Sequence, residues 1–152
     1  MALGASAILA AVESHALALG HFDRVNRHEP KSAPGNGLTA AIWVQNLRPV
    51  AAASGLTSTS ARLELSVRVQ MGMLAEPQDE IDTRILVAVD ALMAAYSGDF
   101  ELGGQIRNVD LLGALGDPLA ADAGYLEQDS KLYRVVVISL PIIVNDLYVQ
   151  AP

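Results

Sequence analysis

Residues that could carry out chemistry are sparse in this 152-residue chain and form no recognised catalytic pattern. The sequence contains no Gly-x-Ser-x-Gly, His-Glu-x-x-His or Gly-x-Gly-x-x-Gly motif. It has no cysteine, which excludes thiolate metal sites, cysteine nucleophiles and disulfides. The three histidines, at positions 15, 21 and 28, do not have the spacing of metal ligands. We therefore expect a protein that is not an enzyme and that has no catalytic residues, no metal and no cofactor.

Two groups of carboxylates are the remaining candidates for acid–base or metal chemistry. Asp79, Glu80 and Asp82 precede an apolar helical pattern, where negative charge favours a helix N-terminus. Asp99, Glu101 and Asp110 could approach one another, but sequence alone does not pair them into a catalytic couple. Solvated surface carboxylates are the simpler interpretation of both groups.

The composition is apolar for a chain of this length. Hydrophobic residues make up 51%, the mean hydropathy is +0.31, and 24 residues are alanine. Apolar surface that a single subunit leaves exposed is often buried in an interface between subunits. An alanine-rich composition would produce the same values, so both interpretations stay open.

Charge is distributed unevenly along the chain, whose net charge is −7. Residues 1–75 sum to +2 and residues 76–152 to −9. This asymmetry suits a head-to-tail contact between copies, in which a basic patch meets an acidic one. A solvated acidic surface is the alternative. Specific binding of nucleic acid is not expected of an acidic chain.

The N-terminus has no basic segment, and its apolar run is interrupted by Glu13 and His15, so we expect no signal peptide. No stretch of 18 apolar residues is free of charge, so we expect no membrane span.

The clearest element is a strand at residues 61–73. Apolar side chains alternate with polar ones there, which predicts one face in a core and one facing water or a polar partner. Helical spacing predicts helices over 4–19 and 81–96, each ending at a glycine. Further strands are predicted at 38–47, around 105–112, at 125–128 and at 131–140, with a turn at Asp129-Ser130 before the last. Pro141 restricts pairing and predicts that this strand ends or meets an edge there.

This order predicts an α+β domain spanning 1–152, with an antiparallel or mixed sheet of about four strands and two helices packed on one face. Residues 48–60 form a long small-residue connection, which we interpret as a β-arm that orders on contact with a partner. A plain flexible loop is the alternative. A second Gly/Ala-rich loop is predicted at 113–124, and Gly35-Asn36-Gly37 is predicted to be a turn rather than a phosphate loop.

Four segments resemble small virion proteins of long-tailed, non-contractile actinobacterial phages. They are His21 to Lys31, Gly37 to Val44, Pro77 to Asp82 and Asn108 to Gly113. The family they resemble is that of the tail terminators, also called tail-to-head joining proteins. The segments carry no catalytic motif, so the likeness depends on their amino-acid sequences and on their order along most of the chain.

The resemblance implies a structural protein of the virion, at the head–tail joint, that is assembled in the host cytoplasm. Such proteins form a homohexameric ring that caps the tail tube, stops tail polymerisation and joins the tail to the neck. The implied partners are other copies of the chain, the tail tube protein, a neck or head-completion protein and the tape-measure protein. Genomic DNA would pass through the lumen without specific binding.

Another neck or head-completion protein, or a protein related to the tail tube, is the alternative function. Because the family's contacts run through loops and sheet edges, the arm, the second loop and the polar face of the 61–73 strand supply the candidate interface residues. These are Arg48, Val50, Ser54, Leu56, Thr57, Arg62, Glu64, Arg68, Gln70, Asp117 and Leu119.

Overall fold

The computed structural model describes residues 3–30 and 37–150 and contains two α-helices and six strands in this range. The helices are α1 (Ala5–Leu19) and α2 (Ile81–Gly98). The strands are β1 (Arg24–Asn26), β2 (Thr39–Pro49), β3 (Ser58–Gly72), β4 (Asn108–Val109), β5 (Ala120–Gln128) and β6 (Lys131–Val149). Short 3-10 turns at Ala51–Ala53 and Gln78–Glu80 precede β3 and α2, respectively.

All six strands belong to one mixed sheet. Its order is β1-β2-β3-β6, and both β5 and β4 lie along the far side of β6. Only β1 and β2 pair in parallel; the other pairs are antiparallel. The predicted α+β class is confirmed, with a sheet of six strands where about four were expected.

Both helices pack on the same face of the sheet, which we call the helical face. The alternating apolar side chains of β3 lie there against both helices, and Leu65 and Val67 are fully buried in the shared core. Helix α1 ends as predicted at Gly20, which adopts the left-handed conformation that glycine tolerates best. The helical spacing over 81–96 predicts one apolar face that includes Ile85, Leu86 and Leu92. Helix α2 buries Ile85 and Leu92, but Leu86 is exposed and does not belong to the core.

Strand β6 continues through Pro141 to Val149 and is longer than predicted, because Pro141 lies at a local edge of the strand and not at its end. The carbonyl of Pro141 accepts a hydrogen bond from the Asp110 N–H, on the side of β6 away from β3. In an antiparallel strand the N–H and C=O of one residue point to the same side, so the hydrogen that proline lacks would also point away from β3. That position lies between the ends of β5 and β4, and the ladder to β3 loses no donor.

Two other boundaries differ from the sequence interpretation. The strand predicted over 105–112 is reduced to Asn108–Val109, and β5 begins at Ala120, inside the predicted second loop. The predicted turn at Asp129-Ser130 is present, with φ of 52° and 61°. The predicted turn at Gly35-Asn36 lies outside the described residues. Neither described helix is both long and apolar enough to cross a membrane.

Candidate functional site

Ten of the eleven predicted interface residues fall in three places on or beside the face of the sheet opposite the helices, which we call the polar face. A cleft holds Arg48, Arg62, Glu64 and Asp117; the β2–β3 connection holds Val50, Ser54, Leu56 and Thr57; and the centre of β3 holds Arg68 and Gln70. Leu119 is in none of them and instead packs partly against the core.

The cleft, of about 320 Å³, lies between the β2–β3 ribbon and the loop that precedes β5. Arg62 forms its floor, with a side chain only 10% exposed. Its guanidinium donates to Glu64 Oε2 at 3.4 Å and to the Asp117 carbonyl, and its Nε lies 4.0 Å from Asp110 Oδ2. Arg62 therefore ties the sheet to the loop and is neutralised by two carboxylates of its own chain.

The loop wall of the cleft is held in place by Asp110. Its two carboxylate oxygens accept hydrogen bonds from the N–H groups of Ala114 and Leu115 at 2.8 and 2.9 Å. Gly116 then passes so close to Arg62 that a Cβ there would lie 2.7 Å from Nε. Sequence reasoning treated Asp110 only as one member of a carboxylate group, although an aspartate just before a glycine-rich turn is a known signal of this local bonding.

The 48–60 segment is the end of the β2–β3 hairpin and is shorter than the predicted connection; its role as an arm that orders on contact with a partner stays a prediction. Arg48 and Pro49 still belong to β2, and β3 begins at Ser58. The hydroxyl of Ser54 donates to the Val50 carbonyl and accepts the Ser60 N–H, which fixes the turn internally. Val50 is buried, whereas Leu56 at the tip is 96% exposed.

The polar side chains at the centre of β3 are also buried within the chain, contrary to the expectation that they face water or a partner. Arg68 lies 5.2 Å from the centre of the Trp43 ring and 3.8 Å from a Glu29 carboxylate oxygen. Burial lowers the pKa of Arg68 below its ordinary value, and the Glu29 charge opposes that shift. Gln128 donates to the Pro30 carbonyl at 2.9 Å, so residues 29–30 reach over this end of the polar face.

Gln70 is the least satisfied member of this group. It is 2% exposed, and neither its amide nitrogen nor its amide oxygen has a hydrogen-bond partner among the residues that the structure describes. A buried polar atom without a partner destabilises the fold by about 1–3 kcal/mol.

The other candidates for acid–base or metal chemistry have structural partners or lie in solvent. His15 Nε2 lies 2.8 Å from Asp99 Oδ2 and joins α1 to the end of α2. The Gly103 N–H, and then His15, lower the pKa of Asp99 below its ordinary value. Asp79 and Glu80 are exposed, and Asp82 accepts from Arg134. Residues 3–30 and 37–150 contain no cluster of histidine and carboxylate side chains that could hold a metal ion.

The sheet has two open edges with different chemistry. Strand β1 covers only residues 39–41 of β2, so within the described chain the outer side of residues 42–49 is unpaired. The outer side of β5 is likewise unpaired in that part of the chain. The free part of β2 carries Arg48 and no acid, whereas β5 carries Asp122 and Glu127 and no base.

Exposed apolar side chains accompany both edges. Val44 and Leu47 on β2 are 47% and 41% exposed, and Tyr125 on β5 is 62% exposed. Sequence reasoning selected Arg48 but missed Val44, Asp122 and Tyr125. The available signal was the mixture of small, acidic and aromatic residues in β5, which is unusual for a strand buried on both sides.

No known protein family matches this chain, and no curated protein is significantly similar to it in sequence. The likeness to tail terminators therefore rests on the four segments named in the sequence analysis.

Proposed function

We propose that this chain is a structural virion protein that forms a ring at the end of a phage tail tube. In this role it stops tail polymerisation and joins the tail to the neck of the head. One observation of the structure carries the proposal: a single sheet, covered by helices on one face only, ends in two open edges of opposite charge.

Two different edges favour self-association in a head-to-tail arrangement. An edge strand offers unpaired N–H and C=O groups that can pair with another strand. When the two contacting surfaces differ, each subunit offers one surface to each neighbour, and the assembly closes into a ring if the rotation between copies permits it. The charge difference between the chain's halves, +2 against −9, supports the same arrangement.

The resemblance to tail terminators supplies the biological context. It implies six copies, with tail tube protein on one side of the ring and a neck or head-completion protein on the other. Contact with the tape-measure protein and passage of DNA through the lumen belong to the same proposal. Neither requires a catalytic residue or a cofactor in this chain.

Light scattering and electron microscopy of the purified chain test the assembly. The expected result is a closed ring with about six times the subunit mass of 16.0 kDa. A monomer at every concentration would contradict the proposal.

The terminating role needs a second measurement. When the purified ring is added to polymerising tail tube protein of the same phage, tubes should stop growing, and particles lacking the chain should carry tails of abnormal length. Tails of normal length that fail to join heads would instead favour the alternative role as a neck or head-completion protein.

A further inference from the structure

We infer that the open edge of β5 in one copy pairs with the open edge of β2 in the next, so that the sheet continues across the subunit boundary. This inference rests on the proposed self-assembly and names the surfaces that meet. It follows from the way the two edges match in direction, side-chain facing and charge.

The directions of the strands permit this pairing. Each step from β2 to β3, from β3 to β6 and from β6 to β5 is antiparallel, so β5 runs opposite to β2 within one copy. If the next copy is related by rotation about an axis along the strands, its β2 lies antiparallel to this copy's β5. The free stretch of β2 covers residues 42–49 and β5 has nine residues, so the lengths agree.

Registers two residues apart all keep the faces matched, and we call the one that also brings base beside acid the seam. On the polar face Arg48 meets Asp122; on the helical face Leu47 meets Ala123 and Val44 meets Tyr125. The intervening Gln45 is skipped, as it already is in the pairing of β2 with β3.

The facing of each side chain follows from the pairs inside the sheet. Arg48 pairs with Arg62 on the polar face, and Asp122 pairs with Val137, which in turn pairs with Arg68 on that face. Val44 pairs with Leu65 on the helical face, and Tyr125 pairs with Arg134, which pairs with Met71. The seam thus places base beside acid on one face and apolar side chains together on the other.

Electrostatics inside the subunit favour this choice of partner. Arg48 lies directly across from Arg62, and Glu64 and Asp110 already interact with Arg62. Within the described chain Arg48 has no acidic partner, so a carboxylate from another copy would relieve a like-charge cross-strand pair. Pairing β5 with another β5 would instead bring acidic strands together without a base.

Charge reversal tests the seam in solution. Arg48→Glu and Asp122→Lys should each raise the concentration needed for assembly by about tenfold or more, because like charges then face one another. The double variant should return close to the wild-type value. Arg84→Glu is a control for the change of charge, since Arg84 is exposed and belongs to α2 and not to either edge strand.

Cysteine crosslinking tests the register independently, because the natural chain has no cysteine. Directly opposed residues have Cα atoms about 4.5–5.5 Å apart, within reach of a disulfide. Leu47→Cys with Ala123→Cys should therefore give reducible multimers under oxidised glutathione. Leu47→Cys with Glu127→Cys places the thiols about 13 Å apart along the strand and should not crosslink.

The outcomes separate this inference from the proposed function. If the wild-type chain forms rings but charge reversal and the Leu47–Ala123 thiol pair have no effect, the seam is wrong and ring formation stands. Disulfide dimers from Leu47→Cys alone would show a β2–β2 contact and would also overturn the seam. A wild-type chain that never self-associates would overturn both proposals.

Discussion

Replacing Arg62 by methionine should lower the free energy of unfolding more than the same replacement at an exposed arginine. The change removes the guanidinium that joins β3 to the loop before β5, while keeping most of the side-chain volume. Removing one member of a buried ion pair costs about 3–5 kcal/mol, because the other charge is left without compensation. The side chains of Arg62 and Asp110 are 10% and 5% exposed, so solvent screens the pair little.

The structure favours the lower end of that range. Asp110 keeps its hydrogen bonds from Ala114 and Leu115, and its distance from the Arg62 Nε is 4.0 Å. We therefore expect a loss of about 3 kcal/mol in the free energy of unfolding. For a chain of this size each kcal/mol shifts Tm by about 2–4 °C, which gives a decrease of about 6–12 °C.

Thermal and urea unfolding, followed by circular dichroism, measure this loss. Arg107→Met is the matched control, because Arg107 is exposed and its side chain bonds only Asn145 among the residues that the structure describes. The double variant Arg62→Met with Asp110→Asn completes a cycle and should show a coupling energy well above the error of the measurement. A Tm for Arg62→Met within about 1 °C of the Arg107→Met value would refute the claim that this ion pair holds the loop.

Three further changes have expected outcomes that the same unfolding measurements check. Gly116→Ala should lower Tm, because its Cβ would lie 2.7 Å from the pinned guanidinium of Arg62, and Arg62→Met should reduce that penalty. Gln70→Leu should leave stability unchanged or raise it, because two buried atoms without partners are replaced by apolar ones of similar volume; a loss above about 1 kcal/mol would contradict this. The lowered pKa of Asp99 means that its ionised form stabilises the fold above its ordinary pKa of 3.8, and this contribution disappears as pH falls through the lower folded value. Asp99→Asn should therefore destabilise the chain at neutral pH, and the difference from wild type should shrink below about pH 4.

The elements of the fold could be predicted because each has a strong local pattern. The alternation in β3 and the helical stripe of α2 are both present in the structure, and so are the left-handed Gly20 and the Asp129-Ser130 turn. The sequence leaves open whether β6 ends at Pro141 or meets an edge there, because the outcome depends on which side of the strand lacks a neighbour. That is a property of the topology and not of the residue.

The candidate site was less predictable for a related reason. The alternation in β3 identifies two faces but does not say what covers the polar one. Arg62 is covered by a loop about 50 residues later in the chain, and Arg68 lies beside a connector about 40 residues earlier. Likewise, Ser54 and Ser60 look like parts of a flexible linker until their hydroxyls are seen to bond the turn itself.

Because the chain's own residues cover the polar face, contacts between copies have to form elsewhere on the subunit. Arg62, Arg68 and Gln70 are each at least nine-tenths buried by their own chain, so they are poor candidates to line a lumen or to meet a neighbour. The edges of β2 and β5 keep unpaired backbone groups, and both carry exposed apolar side chains. Edge pairing gives directional backbone hydrogen bonds, while unlike edges prevent a copy from pairing with itself in the wrong orientation. In the proposed ring, side-to-side contacts would therefore run through the edges, and the buried arginines would keep the polar face rigid.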